Sequence, residues 1–231
     1  MLKGTFPIDK FKPLETPFYY YDMELLQKTL DTIKAETGKY GCFHVHYAVK
    51  ANANPRILSL IASNGLGADC VSGGEIQAAL DAGFPADKIV FAGVGKADWE
   101  INLGLDNEIF CFNVESLAEL RVINELAGLK GKIARIALRI NPDVDAHTHA
   151  KITTGLKENK FGINWSMLNS VLDELENLPH VRLIGIHCHI GSQITDMSAF
   201  RNLAIRINDI QDELDKRGFH IENLNMGGGL G

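Results

Sequence analysis

Phe43-His44-Val45-His46-Tyr47-Ala48-Val49-Lys50 runs directly into Ala51-Asn52-Ala53-Asn54-Pro55. The β-branched and aromatic residues predict a strand over 43–49 that ends on Lys50, and Pro55 predicts the start of a helix. Lysine is rarely fully buried unless it is paired, and a buried lysine amine shifts its pKa readily. Schiff-base lysines use that property, so Lys50 is the first candidate catalytic residue.

The rest of the chain alternates short apolar runs with segments of helical period. Strands are predicted at 43–49, 67–71, 88–92, 108–112, 134–140, 182–187 and 223–226. Helices are predicted at 23–37, with Asp22 as N-cap, and at 55–63, 73–82, 97–103, 115–127, 166–178 and 198–217. Strands separated by helices indicate a parallel sheet covered by helices.

Two parallel architectures compete, an open doubly wound sheet and a (β/α)8-type barrel. The doubly wound sheet predicts GxGxxG after the first strand, and none follows Lys50. The barrel predicts polar residues at many strand ends, which this chain has, so we predict a barrel truncated after its seventh strand. The chain is accordingly expected to be the N-terminal part of a longer protein.

Two regions are expected to lie apart from the barrel strands. Residues 1–22 are predicted as a separate N-terminal segment whose residues 18–21 form a strand outside the barrel, which would occupy 23–231. The irregular stretch 141–160 is long for a connector, and its length indicates a functional lid.

Composition excludes several classes of protein. The 231 residues carry a formal net charge of −6, which argues against nucleic-acid or anionic-membrane partners. No apolar run approaches the ~20 residues of a spanning helix, and residues 1–12 lack a signal-peptide core. We expect a cytoplasmic protein whose four cysteines are free, buried and not nucleophilic.

Two motifs after later strands could bind a ligand. Gly227-Gly228-Gly229 has no Cβ atoms, so its N–H groups can close around a phosphate, although a tight turn or a terminus would have the same composition. In His187-Cys188-His189-Ile190-Gly191-Ser192-Gln193, a strand ends in histidines and a turn follows. His189, beside Ser192, is a candidate for ring stacking or acid–base work.

Three further charged residues lie in or near apolar strands. Asp69 and Arg139 interrupt apolar runs, and we expect this acid and base to satisfy each other at one barrel mouth. Glu75, in the first turn of the next helix, either supports this site or only complements the helix dipole.

A metal site is the rival interpretation of the histidines. His44-x-His46, His147-x-His149 and His187-x-His189 could supply imidazole ligands. The first pair precedes its strand end and the second lies in a loop, so we expect no metal.

With these residues assembled, the chain resembles the fold-type III pyridoxal-phosphate-dependent decarboxylases over nearly its whole length. The motifs that carry the resemblance are Tyr47-Ala48-Val49-Lys50-Ala51-Asn52, Arg139-Ile140-Asn141-Pro142-Asp143, Thr154-Gly155 with Lys160-Phe161-Gly162-Ile163, His187 to Gln193, and Gly227-Gly228-Gly229. The resemblance implies an alanine-racemase-like barrel whose eighth strand and following β domain are absent from this chain.

The resemblance also implies residue roles. Lys50 would carry pyridoxal 5'-phosphate as a Schiff base and His189 would stack on its ring. Ser192, Gly228 and Gly229 would hold the phosphate. Asp69, Glu75 and Arg139 would form the polar support, and residues 154–160 would cover the substrate.

The likeness is strongest to members that convert meso-2,6-diaminopimelate to L-lysine and CO2, the last step of lysine biosynthesis. Such an enzyme is expected to act as a homodimer, with this chain alone inactive. The open alternatives are decarboxylation of ornithine, arginine or carboxynorspermidine, and a non-catalytic pyridoxal-phosphate-binding homologue.

Overall fold

The computed structural model describes residues 4–142 and 161–231. Its strands are β1 His46–Ala48, β2 Gly67–Cys70, β3 Ile89–Phe91, β4 Cys111–Val114, β5 Ala134–Asn141, β6 Ile163–Asn164, β7 Val181–His187 and β8 Asn223–Asn225. Its α-helices are α1 Ile8–Phe11, α2 Met23–Thr37, α3 Pro55–Ser63, α4 Gly73–Asp81, α5 Asp98–Asp106, α6 Leu117–Leu129, α7 Leu168–Leu175 and α8 Met197–Lys216. None of the helices in these two ranges is long and apolar enough to cross a membrane.

All strand pairs are parallel, and the main sheet has the order β1-β2-β3-β4-β5-β7-β8, with β6 paired to the end of β5. A doubly wound sheet would reverse this order at a switch point. In the observed sheet the strands lie side by side in the order of the chain, with helices as the crossover connections, as a (β/α) barrel requires. The truncated barrel is therefore confirmed, and β1 and β8 are the two edges of its sheet within the described residues.

Two apolar clusters hold the sheet. The larger cluster lies between the strands and the helices and includes Leu58, Ile76, Phe112 and Leu120. The smaller cluster consists of Val90, Cys111, Ala137 and Ile184. Alternation along β4 sends Phe112 to the larger cluster and Cys111 to the smaller one, so the two faces of the sheet have separate cores.

The helix starts follow from side-chain caps. Asp22 Oδ1 accepts from Leu25 N at 2.9 Å, which confirms the predicted N-cap of α2. Asn54 caps α3 through Arg56 N at 3.0 Å, with Pro55 in the first turn. Ser72 and Ser116 cap α4 and α6 by accepting from the N–H three residues later. The caps at Ser72 and Ser116 start α4 and α6 directly after the ends of β2 and β4.

The structure differs from the sequence predictions in the short elements. Residues 18–21 have no regular secondary structure, because no strand within the described ranges pairs with them. Strand β1 is three residues long, not seven, and Phe43 is exposed before it. Helix α1 and strand β6 were not predicted, since elements this short have no periodic signal. Residues 143–160, most of the predicted lid, lie outside the described residues.

The cysteines are all free, as expected, but only three of the four are buried. Burial raises the thiol pKa of Cys70, and raises that of Cys111 and Cys188 to about 12. These three thiols are therefore protonated at neutral pH and not nucleophilic. Cys42 is exposed, in contrast to the prediction.

Candidate active site

The predicted site residues come together at the carboxyl ends of the strands. Lys50 follows β1 in a single 3-10 turn, Val49–Ala51, whose Val49 is fully buried. Ala48 on β1 pairs with Asp69 on β2, so Lys50 emerges beside the Asp69 carboxylate. Tyr47 Oη donates to Asn52 O at 3.2 Å and fixes the turn. Lys50 itself is exposed, so its amine is accessible at the mouth and not buried as the apolar run predicted.

Asp69 is half-buried, and no group within the described residues bonds to its Oδ1 atom. Burial raises the pKa of Asp69 to about 6, an effect that the cations of Lys50 and Arg139 partly offset. The carboxylates of Glu75 and Glu115 raise the same pKa further. Asp69 is thus a carboxyl poised near neutral pH with one oxygen available to a ligand.

Arg139 is paired with Glu115 and not with Asp69, so the predicted ion pair between Asp69 and Arg139 is wrong. Arg139 Nη1 lies 2.7 Å from Glu115 Oε1 and 2.9 Å from Oε2. Val114 and Leu138 are neighbours across β4 and β5, so the next residues of both strands, Glu115 and Arg139, meet. Asp69, on β2, is two strands away from β4, and Arg139 acts on the Asp69 pKa through space alone.

Glu115 is the site residue that the sequence reasoning missed. The predicted helix over 115–127 would begin at Glu115, yet α6 begins at Leu117 with Ser116 as its cap. A repeat in the sequence could have revealed Glu115, because two stretches share the same Ser-x-x-Glu cap. They are Val71-Ser72-Gly73-Gly74-Glu75 and Glu115-Ser116-Leu117-Ala118-Glu119. The first residue of each stretch therefore lies at a strand end, and Glu115 is only 5% exposed there.

Glu75 acts first as a local brace. Its Oε2 accepts from Val71 N at 2.9 Å, which ties the first turn of α4 to the end of β2. Glu75 also adds negative charge near Asp69. Both interpretations of Glu75, structural brace and polar support, are compatible with this position.

The two histidines at the end of β7 are neutral at pH 7. Burial lowers the pKa of His187 well below its usual value, with Arg139 as a further cause. Burial, followed by the cations of Arg139 and Lys50, lowers the pKa of His189 to about 4. His187 is buried in register with Arg139 and Asn225, whereas His189 is half-buried beyond the strand. A neutral imidazole at this mouth is suited to stacking on a flat ring and to accepting a hydrogen bond.

The glycine triplet lies directly against the turn that follows β7. A Cβ atom on Gly227 would lie 2.6 Å from Cys188 O, and one on Gly229 would lie 2.0 Å from Gly191 O. Both glycines have positive φ, of 70° and 100°. Gly228 N points at His189 Nδ1, 3.4 Å away. Glycine is therefore required for the close approach of the two turns, and Ser192 is exposed beside them.

This constellation fits pyridoxal phosphate. Glycine-rich turns offer backbone N–H groups to an anion, His189 offers a neutral ring face, and Lys50 offers an accessible amine. The unsatisfied Oδ1 of half-buried Asp69 is a polar group that a ligand at the mouth would complete. In contrast, the described residues contain no group of three His, Cys, Asp or Glu side chains that could hold a metal ion. His147 and His149 lie outside the described residues.

A barrel with a lysine, a histidine and a glycine turn at its mouth defines a class of pyridoxal enzyme. Residues 26–231 match the family model "Pyridoxal-dependent decarboxylase, pyridoxal binding domain", and the chain belongs to this family.

Among its relatives, a diaminopimelate decarboxylase of Bacteroides thetaiotaomicron is 62% identical over 230 residues, which are 100% of this chain and 60% of that protein. The crystal structure of the Helicobacter pylori diaminopimelate decarboxylase with L-lysine superposes with a TM-score of 0.90 at 40% identity, covering 97% of this chain and 57% of that one. The Methanocaldococcus jannaschii diaminopimelate decarboxylase structure with L-lysine gives a TM-score of 0.85 at 42% identity, covering 97% and 53%. The chain therefore spans a little over half the length of these relatives.

Proposed function

We propose that this chain is the cofactor-binding part of an enzyme that decarboxylates meso-2,6-diaminopimelate to L-lysine and CO2 with pyridoxal 5'-phosphate. The observation that carries the proposal is the meeting of Lys50, Asp69, Arg139 and His189 beside the glycine turn at one barrel mouth. The relatives called diaminopimelate decarboxylase, 62% identical in one case, support the choice of substrate.

The proposed roles follow from position. Lys50, exposed after β1, would bind the cofactor covalently through its amine. His189 would lie against the ring, since its low pKa keeps it uncharged there. Ser192, Gly228 and Gly229 would hold the phosphate at the turn beside β8.

The polar support would consist of Asp69, Glu75 and Arg139. With a pKa of about 6, Asp69 can hold or release a proton at Oδ1 near neutral pH, next to the Lys50 amine. The Glu115 carboxylate fixes Arg139, so its guanidinium faces the site from one side. When bound, pyridoxal phosphate supplies a protonated pyridine ring that accepts the electron pair left behind as the α-carboxylate departs.

The remaining organisation is part of the same proposal. Residues 1–22 would form an N-terminal segment beside the barrel domain of residues 23–231. The enzyme would act as a homodimer in the cytoplasm, and residues 154–160 would cover the substrate.

Borohydride trapping tests the cofactor assignment. Incubating the intact protein with pyridoxal phosphate, reducing it with sodium borohydride and digesting it should leave a pyridoxyl group on the peptide that contains Lys50. Lys50→Ala should abolish this adduct and the visible absorbance band, because both require the Schiff base that the Lys50 amine would form. Lys88→Ala is the matched control, since Lys88 Nζ donates to Gly65 O at the opposite end of the strands.

Two results would contradict the proposal. If wild type gives no adduct, or if the adduct forms on another lysine, the cofactor assignment is wrong. The substrate is tested separately by measuring CO2 release from diaminopimelate, ornithine, arginine and carboxynorspermidine, and we expect release from diaminopimelate alone.

A further inference from the structure

A second lysine lies next to the proposed site and has no role so far. Lys96, in the loop between β3 and α5, has a side chain that is 1% exposed. Its Nζ donates to Gly93 O at 2.7 Å, to Asn113 O at 2.8 Å and to Glu119 Oε1 at 2.6 Å. An ammonium group has three protons, and all three of these are used. Lys96 is therefore a fixed cation and not a free nucleophile.

Short hydrogen bonds connect this cation to Arg139. Glu119 Oε1 accepts a hydrogen bond from Lys96 Nζ, and Glu119 Oε2 accepts one from Glu115 N at 2.8 Å. The Glu115 carboxylate accepts from Gly93 N at 3.0 Å and from Arg139 Nη1 at 2.7 Å. The carbonyl of Gly93 is itself bound by Lys96. The loop after β3, the end of β4 and the first turn of α6 are thus joined around the base of Arg139.

The helix cap alone does not require this lysine. In α4 the equivalent Glu75 makes the same bond to the residue before its cap, Val71 N, at 2.9 Å, and Lys96 is not part of that cap. The α6 repeat differs in having Glu115 where α4 has Val71. Glu115, which binds Arg139, and Lys96, which supports Glu115, are therefore both found at the α6 repeat and not at the α4 repeat.

A gain in stability does not explain why the four charged side chains of this network are buried or half-buried. Desolvation raises the pKa of Glu119, and the Lys96 ammonium counteracts that rise. Ion pairs taken out of water contribute little net stability compared with apolar residues of similar volume. What such a network does provide is a single geometry for the groups it contains.

We infer that Lys96 and Glu119 are positioning residues that fix the direction of the Arg139 guanidinium at the barrel mouth, through Glu115. The effect on a bound cofactor rests on the proposed function, whereas the effect on Arg139 itself does not.

The first test needs no cofactor. In the intact apoprotein, 15N relaxation of the Arg139 Nε–Hε group should show a rigid side chain. Lys96→Met should make that group mobile, because Glu119 loses the cation that orders it. Glu119→Gln gives a second route to the same result, since glutamine has one accepting oxygen where Glu119 uses two, for Lys96 Nζ and Glu115 N. An Arg139 signal that stays equally rigid in both variants overturns the inference.

The second test is a double-mutant cycle on pyridoxal phosphate binding, measured by absorbance titration. Lys96→Met should weaken binding about tenfold in the wild-type background and less than about twofold when Arg139→Met is already present. Equal losses in the two backgrounds would mean that Lys96 acts on general stability, and would overturn the inference.

Lys132→Met is the matched control for both tests. Lys132 Nζ also donates to a backbone carbonyl, Leu105 O at 2.8 Å, but at the opposite end of the strands. We expect it to change neither the Arg139 relaxation nor the dissociation constant. If the wild type binds no pyridoxal phosphate, the proposed function fails, while the relaxation test still decides the role of Lys96.

Discussion

At the residue scale, Asp69 predicts an unusual dependence of stability on pH. Its pKa is raised to about 6 in the fold, from 3.8, so the folded state binds a proton more tightly than the unfolded state does. The free energy of unfolding should therefore fall as pH rises from about 4 to 6, and this cost should persist above pH 6. Asp69→Asn should stabilise the apoprotein by on the order of 2 kcal/mol at pH 7.5 and change it little at pH 4.

Urea unfolding at the two pH values measures this difference. Asp31→Asn is the control, because Asp31 is exposed on α2 and its carboxylate accepts from Gln27 Nε2. A stabilisation by Asp69→Asn that is equal at pH 4 and pH 7.5 would show that ionisation is not its cause.

Single residues were predictable where polarity conflicts with an apolar neighbourhood. Asp69 and Arg139 lie in the second halves of apolar strands, and Lys50 and His189 lie just beyond such strands. Parallel strands bring positions of this kind to one edge. The pairing of Arg139 with Glu115 was not predictable from local pattern, because it depends on which strands are neighbours and on their register. The exposure of Lys50 is not predictable from the apolar run before it, since that run predicts the burial of Val49, whereas Lys50 is the next residue of the same 3-10 turn.

At the element scale, the glycines of the turns before and after β8 predict a ranking of three alanine variants. Gly229→Ala combines positive φ with a Cβ contact of 2.0 Å to Gly191 O, whereas Gly218→Ala has positive φ in open space. Gly228→Ala has neither problem. The loss in free energy of unfolding should be largest for Gly229, about 1 kcal/mol for Gly218 and close to zero for Gly228. Thermal unfolding of the apoproteins measures the order, and a Gly228→Ala loss as large as that of Gly229→Ala would contradict it.

Elements were predictable where local chemistry marks their ends. Helices α2 and α3 have the predicted bounds because Asp22, Asn54 and Pro55 define their starts. The predicted strand 108–112 begins three residues before β4, since Ile109 and Phe110 continue the apolar run of the strand towards its start. Such a boundary is decided by pairing with β3 and β5, which the local sequence does not contain.

At the scale of the whole molecule, the open sheet predicts a gradient of amide protection. Strands β5 and β7 have neighbours on both sides, whereas β1 and β8 are edges within the described residues. Hydrogen exchange of this 231-residue chain should therefore be slowest in β5 and β7 and faster in β1 and β8. Protection in β8 equal to that in β5 would indicate that a further strand covers that edge.

The architecture was predictable because strands and helices alternate along the chain and the polar residues recur at strand ends. The strand order then follows from short right-handed connections, without any long-range information in the sequence. The path of residues 18–21 was not predictable in the same way, because a strand requires a partner and the pattern of aromatic residues does not name one.

The four thiols differ in exposure, so one of them can be labelled selectively. Cys70, Cys111 and Cys188 are buried and protonated, whereas Cys42 is exposed eight residues before Lys50. A maleimide dye added to the folded native sequence is therefore directed to Cys42 without engineering. A fluorophore at that position, close in sequence to the turn that carries Lys50, would report by energy transfer on any chromophore that occupies the barrel mouth.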